Sequence, residues 1–210
     1  MNKIYFIANW KMQLLNSEAV ILASEISEVE FGENLEVVVC PSLISINSVG
    51  QAIQNSKIKL GAQNMFYHEK GSYTGEVSPT QLKELGVKYV MIGHSERREY
   101  LKETDEEVNL KIKMVLENDL IPIVCVGETL EERRMGQTDV VLINQITRAV
   151  VDVKLNGQQK MLIAYEPVWV IGSGQAVKTQ DAERAMQVIK QTLLDFFDKQ
   201  SIKNNIGLLY

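Results

Sequence analysis

Three side chains far apart along the chain, Lys11, His94 and Glu166, are of the types needed to move a proton. Glu166 ends the apolar run Met161-Leu162-Ile163-Ala164-Tyr165 and is followed by Pro167, the bulky segment Val168-Trp169-Val170-Ile171 and the tail Gly172-Ser173-Gly174. A carboxylate at the end of a core strand is partly desolvated, which raises its pKa and makes it a better base near neutral pH. Taken alone, Glu166 reads somewhat better as a strand-end glutamate paired at the surface, since such carboxylates are common. The segment after it favours the base. Pro167 stiffens one end, the glycines free the other, and the four large apolar residues between them are ill suited to water, so the segment reads as a lid whose closing expels solvent.

His94, one of two histidines, follows the apolar run 88–93 and precedes Ser95-Glu96, where a helix is expected to begin with Ser95 as its cap. The positive end of a helix disfavours imidazolium, so His94 is expected to stay neutral and to donate a hydrogen bond. A purely structural histidine would fit that position as well. His68, in the polar loop MFYHEKGSYTGE, reads as an ordinary loop residue. Lys11 follows the first strand and is either a solvated lysine or a holder of anions. A base, a neutral donor and a cation at one rim suit removal of a proton beside the carbonyl of a small anionic substrate. His94 and Lys11 would stabilise the developing enediolate, and Gly172 and Gly174 leave backbone N–H groups open to a phosphate. No step calls for a cofactor or a metal.

The elements that must position these groups are legible. Seven short runs rich in β-branched residues recur at 4–9, 36–40, 58–63, 88–93, 120–127, 161–166 and 206–210. They are nearly continuous in apolarity, as expected of strands buried on both faces of a parallel sheet. Between them Ser78-Pro79-Thr80-Gln81, Thr104-Asp105-Glu106-Glu107 and Thr129-Leu130-Glu131-Glu132 are capping boxes, and Gly86 can end the first of these helices. Val108, Ile112 and Val115 fall on one helical stripe; so do Ala182, Ala185, Ile189, Leu193 and Phe196. Strict β-then-α alternation, with strand starts roughly 34 residues apart, fits an open doubly wound sheet or a closed (β/α)₈ barrel. Neither G-x-G-x-x-G nor the P-loop pattern is present, which removes the main support for a nucleotide site. In the barrel, functional groups gather at the C-terminal ends of strands. Asn9, Lys11, the stretch 93–96 and Glu166 all follow that rule.

At 210 residues, 45% apolar and 23% charged, the composition is that of one ordinary globular domain. A net charge of −5 with scattered Lys and Arg argues against nucleic acid as a partner. The opening MNKIYFIANWKM is too short in apolar residues for a secretory signal or a membrane span, so a cytoplasmic, membrane-free protein is expected. Cys40 and Cys125 stand far apart, without metal-ligand spacing, and read as buried thiols in a reducing compartment.

Through its whole length the chain resembles the triosephosphate isomerase family. The resemblance is carried by Asn9-Trp10-Lys11, by GSYTGEVSP at 71–79, by GHSERR at 93–98, by VCVGETLEER at 124–133 and by AYEPVWVIGSG at 164–174. It implies a TIM barrel that interconverts dihydroxyacetone phosphate and glyceraldehyde 3-phosphate, in glycolysis and gluconeogenesis. It makes Glu166 the base, His94 the electrophile and Lys11 the electrostatic partner of substrate. Asn9 would line the site, and Gly172 would give an N–H to the phosphate. Ser95 would bond Glu166, Glu96 would pair with Lys11, and the loop of Thr74 would insert into a second subunit of a homodimer. The neutral histidine and the lid are known devices of this family and are taken over as such.

Val170, Ser173 and Gln175 replace residues that are commonly Ala, Thr and Lys in the family's lid, which implies altered hinge stiffness at most. The given sequence stops at Tyr210, the tyrosine of a family motif Tyr-Gly-Gly-Ser. The expectation is therefore a barrel of about seven βα units ending in its seventh strand, with the isolated 210 residues inactive or poorly folded. The competing reading is a non-catalytic remnant or interaction module without the C-terminal phosphate loops.

Overall fold

Each apolar run forms a strand, and the physical reason is clearest at residues 37–40, where Val37, Val38, Val39 and Cys40 are all buried in succession. Side chains alternate between the faces of a strand, so such a run requires cover on both. The computed structural model describes residues 3–171 and 176–210, which fall into two compact units, Met1–Met91 and Ile92–Tyr210.

The first unit carries β1 (Ile4–Asn9), α1 (Asn16–Ser27), β2 (Leu35–Cys40), α2 (Ile46–Ile53), β3 (Lys59–Ala62), α3 (Pro79–Glu84) and β4 (Tyr89–Ile92), whose last residue opens the second unit. Its strands pair in parallel and in chain order, with Asn9 opposite Cys40, Val39 opposite Leu60 and Ala62 opposite Val90. Ser78 caps α3 as expected: its hydroxyl accepts from the Thr80 N–H, and its own N–H donates to Gln81 Oε1 at 3.0 Å. Gly86, at φ +82°, takes the left-handed turn that ends this helix. At the N-terminal ends of the strands Glu36 accepts from Lys3 Nζ and the Tyr89 hydroxyl. Burial alone would raise the Glu36 pKa, but these two bonds together with the charges of Lys3 and Lys59 outweigh it and hold the carboxyl below its usual range.

One strand departs from the expectation of two buried faces. On β1, Ile4 and Phe6 are 57% and 62% exposed, because β1 pairs with β2 alone among the described residues and presents one face without cover from its own unit.

Close packing at Cys40 makes a checkable consequence. A Cβ on Gly61 would stand 2.5 Å from Cys40 Sγ, so the glycine makes room for the thiol. Burial pushes that thiol's pKa up to about 12. Since only the thiolate attacks disulfides, a disulfide reagent at pH 8 should leave Cys40 unmodified in the native protein for as long as it takes to label unfolded chains completely. Peptide mapping by mass spectrometry reads this directly, and native-state labelling of Cys40 would contradict it.

The second unit holds α4 (Ser95–Leu101), α5 (Asp105–Glu117), β5 (Ile121–Val126), α6 (Leu130–Arg134), α7 (Thr138–Val150), β6 (Met161–Tyr165), α8 (Thr179–Leu193), α9 (Lys199–Asn205) and β7 (Ile206–Leu209). β5, β6 and β7 pair in parallel, Val126 opposite Tyr165 and Ala164 opposite Leu209. The capping boxes at Thr104 and Thr129 are formed, and Val108, Ile112 and Val115 are fully buried along α5. On α8, Ala185, Ile189 and Leu193 are buried, but Phe196 is only half-buried and Phe197 enters the core instead. The helix ends at Leu193, and beyond it the 3.6-residue period no longer selects which side chain faces inward. No described helix is long and apolar enough to cross a membrane.

Candidate active site

Two loops of the second unit bring His94 and Glu166 together. After β4 the chain turns at Gly93, φ +70°, where an added Cβ would meet Val108 Cγ2 and Arg98 Nη2 at 2.9 Å. Arg98 Nε donates to the Gly93 carbonyl at 2.7 Å, fixing that turn from the following helix. His94 comes next and is itself the N-cap of α4: its Nδ1 accepts the Glu96 N–H at 3.2 Å. This corrects the expected cap at Ser95. An imidazole in the cap position offers the same acceptor a serine would, and the chain reaches helical geometry one residue earlier.

The cap also settles the tautomer. With Nδ1 accepting from a backbone donor, the proton of a neutral ring sits on Nε2. Glu96 Oε2 lies 3.5 Å from Nδ1 as well, a pairing that needs a proton on Nδ1. The backbone bond is the shorter of the two and leaves Nδ1 without a proton. Nε2 is 3.3 Å from Glu166 Oε1, which brings the ring and the carboxylate into contact. The imidazole side chain is 8% exposed and the carboxylate side chain 18%, which keeps this contact largely out of water.

Glu166 follows β6 and is held at both ends. Its N–H donates to the Val126 carbonyl at 2.7 Å, and its Oε2 accepts the Ser95 backbone N–H at 3.2 Å. The expected Ser95–Glu166 bond thus exists through the backbone, not the hydroxyl. Ser95 Oγ is buried and has no hydrogen-bond partner among the described residues. A cavity of about 310 Å³ adjoins the carboxylate, lined by Gly93, Ser95, Gly127, Thr129, Gln145 and Glu166 among others.

Asn9 and Lys11 lie in the first unit. Asn9 Oδ1 accepts the Lys11 N–H at 2.9 Å, and its Nδ2 contacts Met91 Sδ at 3.4 Å. Lys11 has φ +52°, the left-handed region, which is unfavourable by roughly 1–2 kcal/mol for a residue with a Cβ. The Asn9 bond and one from Gln63 Nε2 to the Lys11 carbonyl, 2.8 Å, hold it there. Backbone strain held in place by two dedicated side chains is common where a side chain must be aimed. Thr74 is exposed in a turn with Gly75 at φ +92°, and in the same loop His68 stacks flat on Tyr73 with centroids 4.9 Å apart.

The start of the segment expected to act as a lid is tied down by a group that sequence reasoning missed. Glu128 is fully buried, and its carboxylate accepts from the Tyr165 hydroxyl at 3.0 and 3.2 Å and from Trp169 Nε1 at 3.0 Å. Arg133 approaches the same carboxylate at 3.5 Å and stacks over the Trp169 ring at 4.4 Å. Burial first, and the Glu128 charge second, push the Tyr165 pKa up. The signal available was Trp169 itself, since an indole N–H in a folded segment needs an acceptor. Val168–Val170 forms one 3₁₀ turn and is half-buried, while Ile171 is exposed. Gly172, expected to contact phosphate, and Ser173 and Gln175 fall outside the described residues.

Comparison with known proteins agrees with this geometry. The sequence model of the family described as "Triosephosphate isomerase" matches residues 4–210. The chain is similar to the triosephosphate isomerase of Caldanaerobacter subterraneus subsp. tengcongensis, 47% identical over 199 residues, covering 95% of this chain and 80% of that one. It is 44% identical to the enzyme of the same name from Alkaliphilus metalliredigens over 210 residues, covering all of this chain and 84% of that one. Identity to the one from Thermoanaerobacter pseudethanolicus is also 44%, over 200 residues, 95% of this chain and 81% of that one.

Proposed function

This chain belongs to the triosephosphate isomerase family, and we propose that it interconverts dihydroxyacetone phosphate and glyceraldehyde 3-phosphate with Glu166 as the base. Its fold class is the (β/α)₈ TIM barrel of that family, of which seven strands lie among the described residues. The observation that carries the proposal is the pair His94 Nε2–Glu166 Oε1 at 3.3 Å, with the Ser95 N–H on the second carboxylate oxygen. A carboxylate so held can take a proton from carbon and return it to the neighbouring carbon. The neutral ring donates from Nε2 to the oxygen on which charge develops.

Asn9, Lys11 and Gly172 take the substrate-contact roles that the family resemblance gives them, and Glu96 a supporting one. The strained backbone of Lys11 supports its part. Thr74 belongs to a homodimer contact, and the protein works in the cytoplasm on a glycolytic intermediate. The family comparisons favour this reading over a non-catalytic remnant.

An enzyme-coupled optical assay run in D₂O tests the mechanism as well as the activity. Saturable interconversion in both directions is expected, with deuterium appearing in product at the neighbouring carbon that receives the proton, because a carboxylate base exchanges its proton with solvent. Folded protein without turnover would defeat the proposal. Turnover without any deuterium in product would leave the activity but remove the carboxylate route.

A further inference from the structure

The Glu166 carboxylate is only as well placed as its backbone, and the backbone rests on Gly127. A Cβ on Gly127 would stand 1.8 Å from the Glu166 carbonyl oxygen and 2.6 Å from its carbonyl carbon. Only glycine permits that approach. Glycine is also the residue whose φ and ψ are least restrained, so a shelf made of it needs something to hold it still.

That something is Gln145, half-buried on α7. Its Oε1 accepts the Gly127 N–H at 2.8 Å and its Nε2 donates to the Gly127 carbonyl at 3.2 Å. One side-chain amide thus grips both peptide groups that flank Gly127, as a neighbouring β-strand would. The peptide joining Val126 to Gly127 is shared with the base: its carbonyl accepts the Glu166 N–H at 2.7 Å while its N–H goes to Gln145. Hydrogen bonds in such a chain strengthen one another. Turning that peptide plane would break the Glu166 bond and carry the carboxylate away from His94.

We propose that Gln145 is a positioning residue for the reaction: through the Val126–Gly127 peptide it fixes where Glu166 sits. The inference rests on Glu166 being the base. Gln145 touches no substrate in this account, and its removal acts on the proton-transfer step more than on binding. A misplacement of about 1 Å at a reacting group can cost on the order of 10²-fold in rate.

Gln145→Met keeps the side-chain length and removes both bonds, and Gln145→Glu keeps the acceptor for the Gly127 N–H while losing the donor. Expected for the Met variant is a kcat about 10- to 100-fold below wild type, with KM changed by less than about threefold. A larger kinetic isotope effect should appear with substrate deuterated at the carbon that loses its proton. The Glu variant should fall between the two, and it serves alone if the Met variant does not fold. A merely structural role would lower the melting temperature without moving the isotope effect.

Independently of turnover, the Glu166 side-chain carboxyl in ¹³C-labelled protein should show a displaced resonance in the variant at fixed pH. A Met variant within threefold of wild-type kcat overturns the inference. So does a loss confined to KM, or an unchanged isotope effect and carboxyl resonance in a destabilised protein. If wild type itself does not turn over, the functional reading fails. The carboxyl resonance then decides this inference by itself: unchanged in the variant it overturns the clamp, and displaced it upholds it.

Discussion

Glu166→Gln is expected to lower kcat by about 10³-fold, within the 10²–10⁴ range that a positioned general base contributes, with little change in KM or in melting temperature. Glutamine has the same shape, and its amide oxygen can still accept the Ser95 N–H now received by Oε2. The fold therefore has little to lose. The chemistry has much to lose, because an amide cannot take up the proton that the carboxylate removes from carbon. Steady-state kinetics beside a thermal melt checks both halves, and a kcat within tenfold of wild type would remove Glu166 from its role. Glu166→Asp probes position. The backbone cannot follow the shortened side chain, since its N–H is bonded to Val126 and its carbonyl rests against Gly127. A carboxylate withdrawn by about one methylene should cost on the order of 10²-fold.

What the sequence makes legible here follows from which physical signals are local. β-branched runs and capping boxes are local, so the strands and the starts of α3, α5 and α6 can be read off within a residue or two. His94 and Glu166 stand out because titratable groups at apolar strand ends are unusual. Serine is the common cap and imidazole rarely serves, so the residue types point to Ser95, and only geometry shows Nδ1 in that place. The Gln145 clamp on Gly127 has no signature at all: a glutamine on the edge of an amphipathic helix looks like a solvated residue. Glu128 is similar. Its burial depends on donors from Tyr165 and Trp169, more than 35 residues away in each case. Long-range polar pairing is what a single sequence hides. It is also what places the base.

A second large effect is expected on stability, from Lys111→Met. Glu103 and Lys111 are nearly inaccessible, with side chains 2% and 5% exposed, and pair at 2.9 Å, while Arg97 Nε bonds the other oxygen of Glu103. Taking charges out of water is costly, and removing one partner leaves the other charge buried with less compensation, which typically destabilises by about 3–5 kcal/mol. Urea unfolding at pH 7 should show a loss in that range.

The pH dependence separates this mechanism from a packing defect. Burial alone would raise the Glu103 pKa, but the Lys111 charge and hydrogen bond, then those of Arg97, outweigh it and hold the folded value below the ordinary 4.5. A depressed folded pKa contributes stability that is fully present above 4.5 and is lost as pH falls through the folded value. Wild type should therefore lose its advantage over Lys111→Met as pH falls below 4.5, because Glu103 becomes protonated in both proteins. A gap of the same size at pH 7 and pH 3 would point to lost packing around the lysine stem instead. Activity should be affected as well, though less. Glu103 follows the left-handed turn at Lys102 that ends α4, and its N–H bonds the Arg97 carbonyl at 3.2 Å. The network thus anchors the far end of the helix whose first turn holds His94 and Ser95 against Glu166.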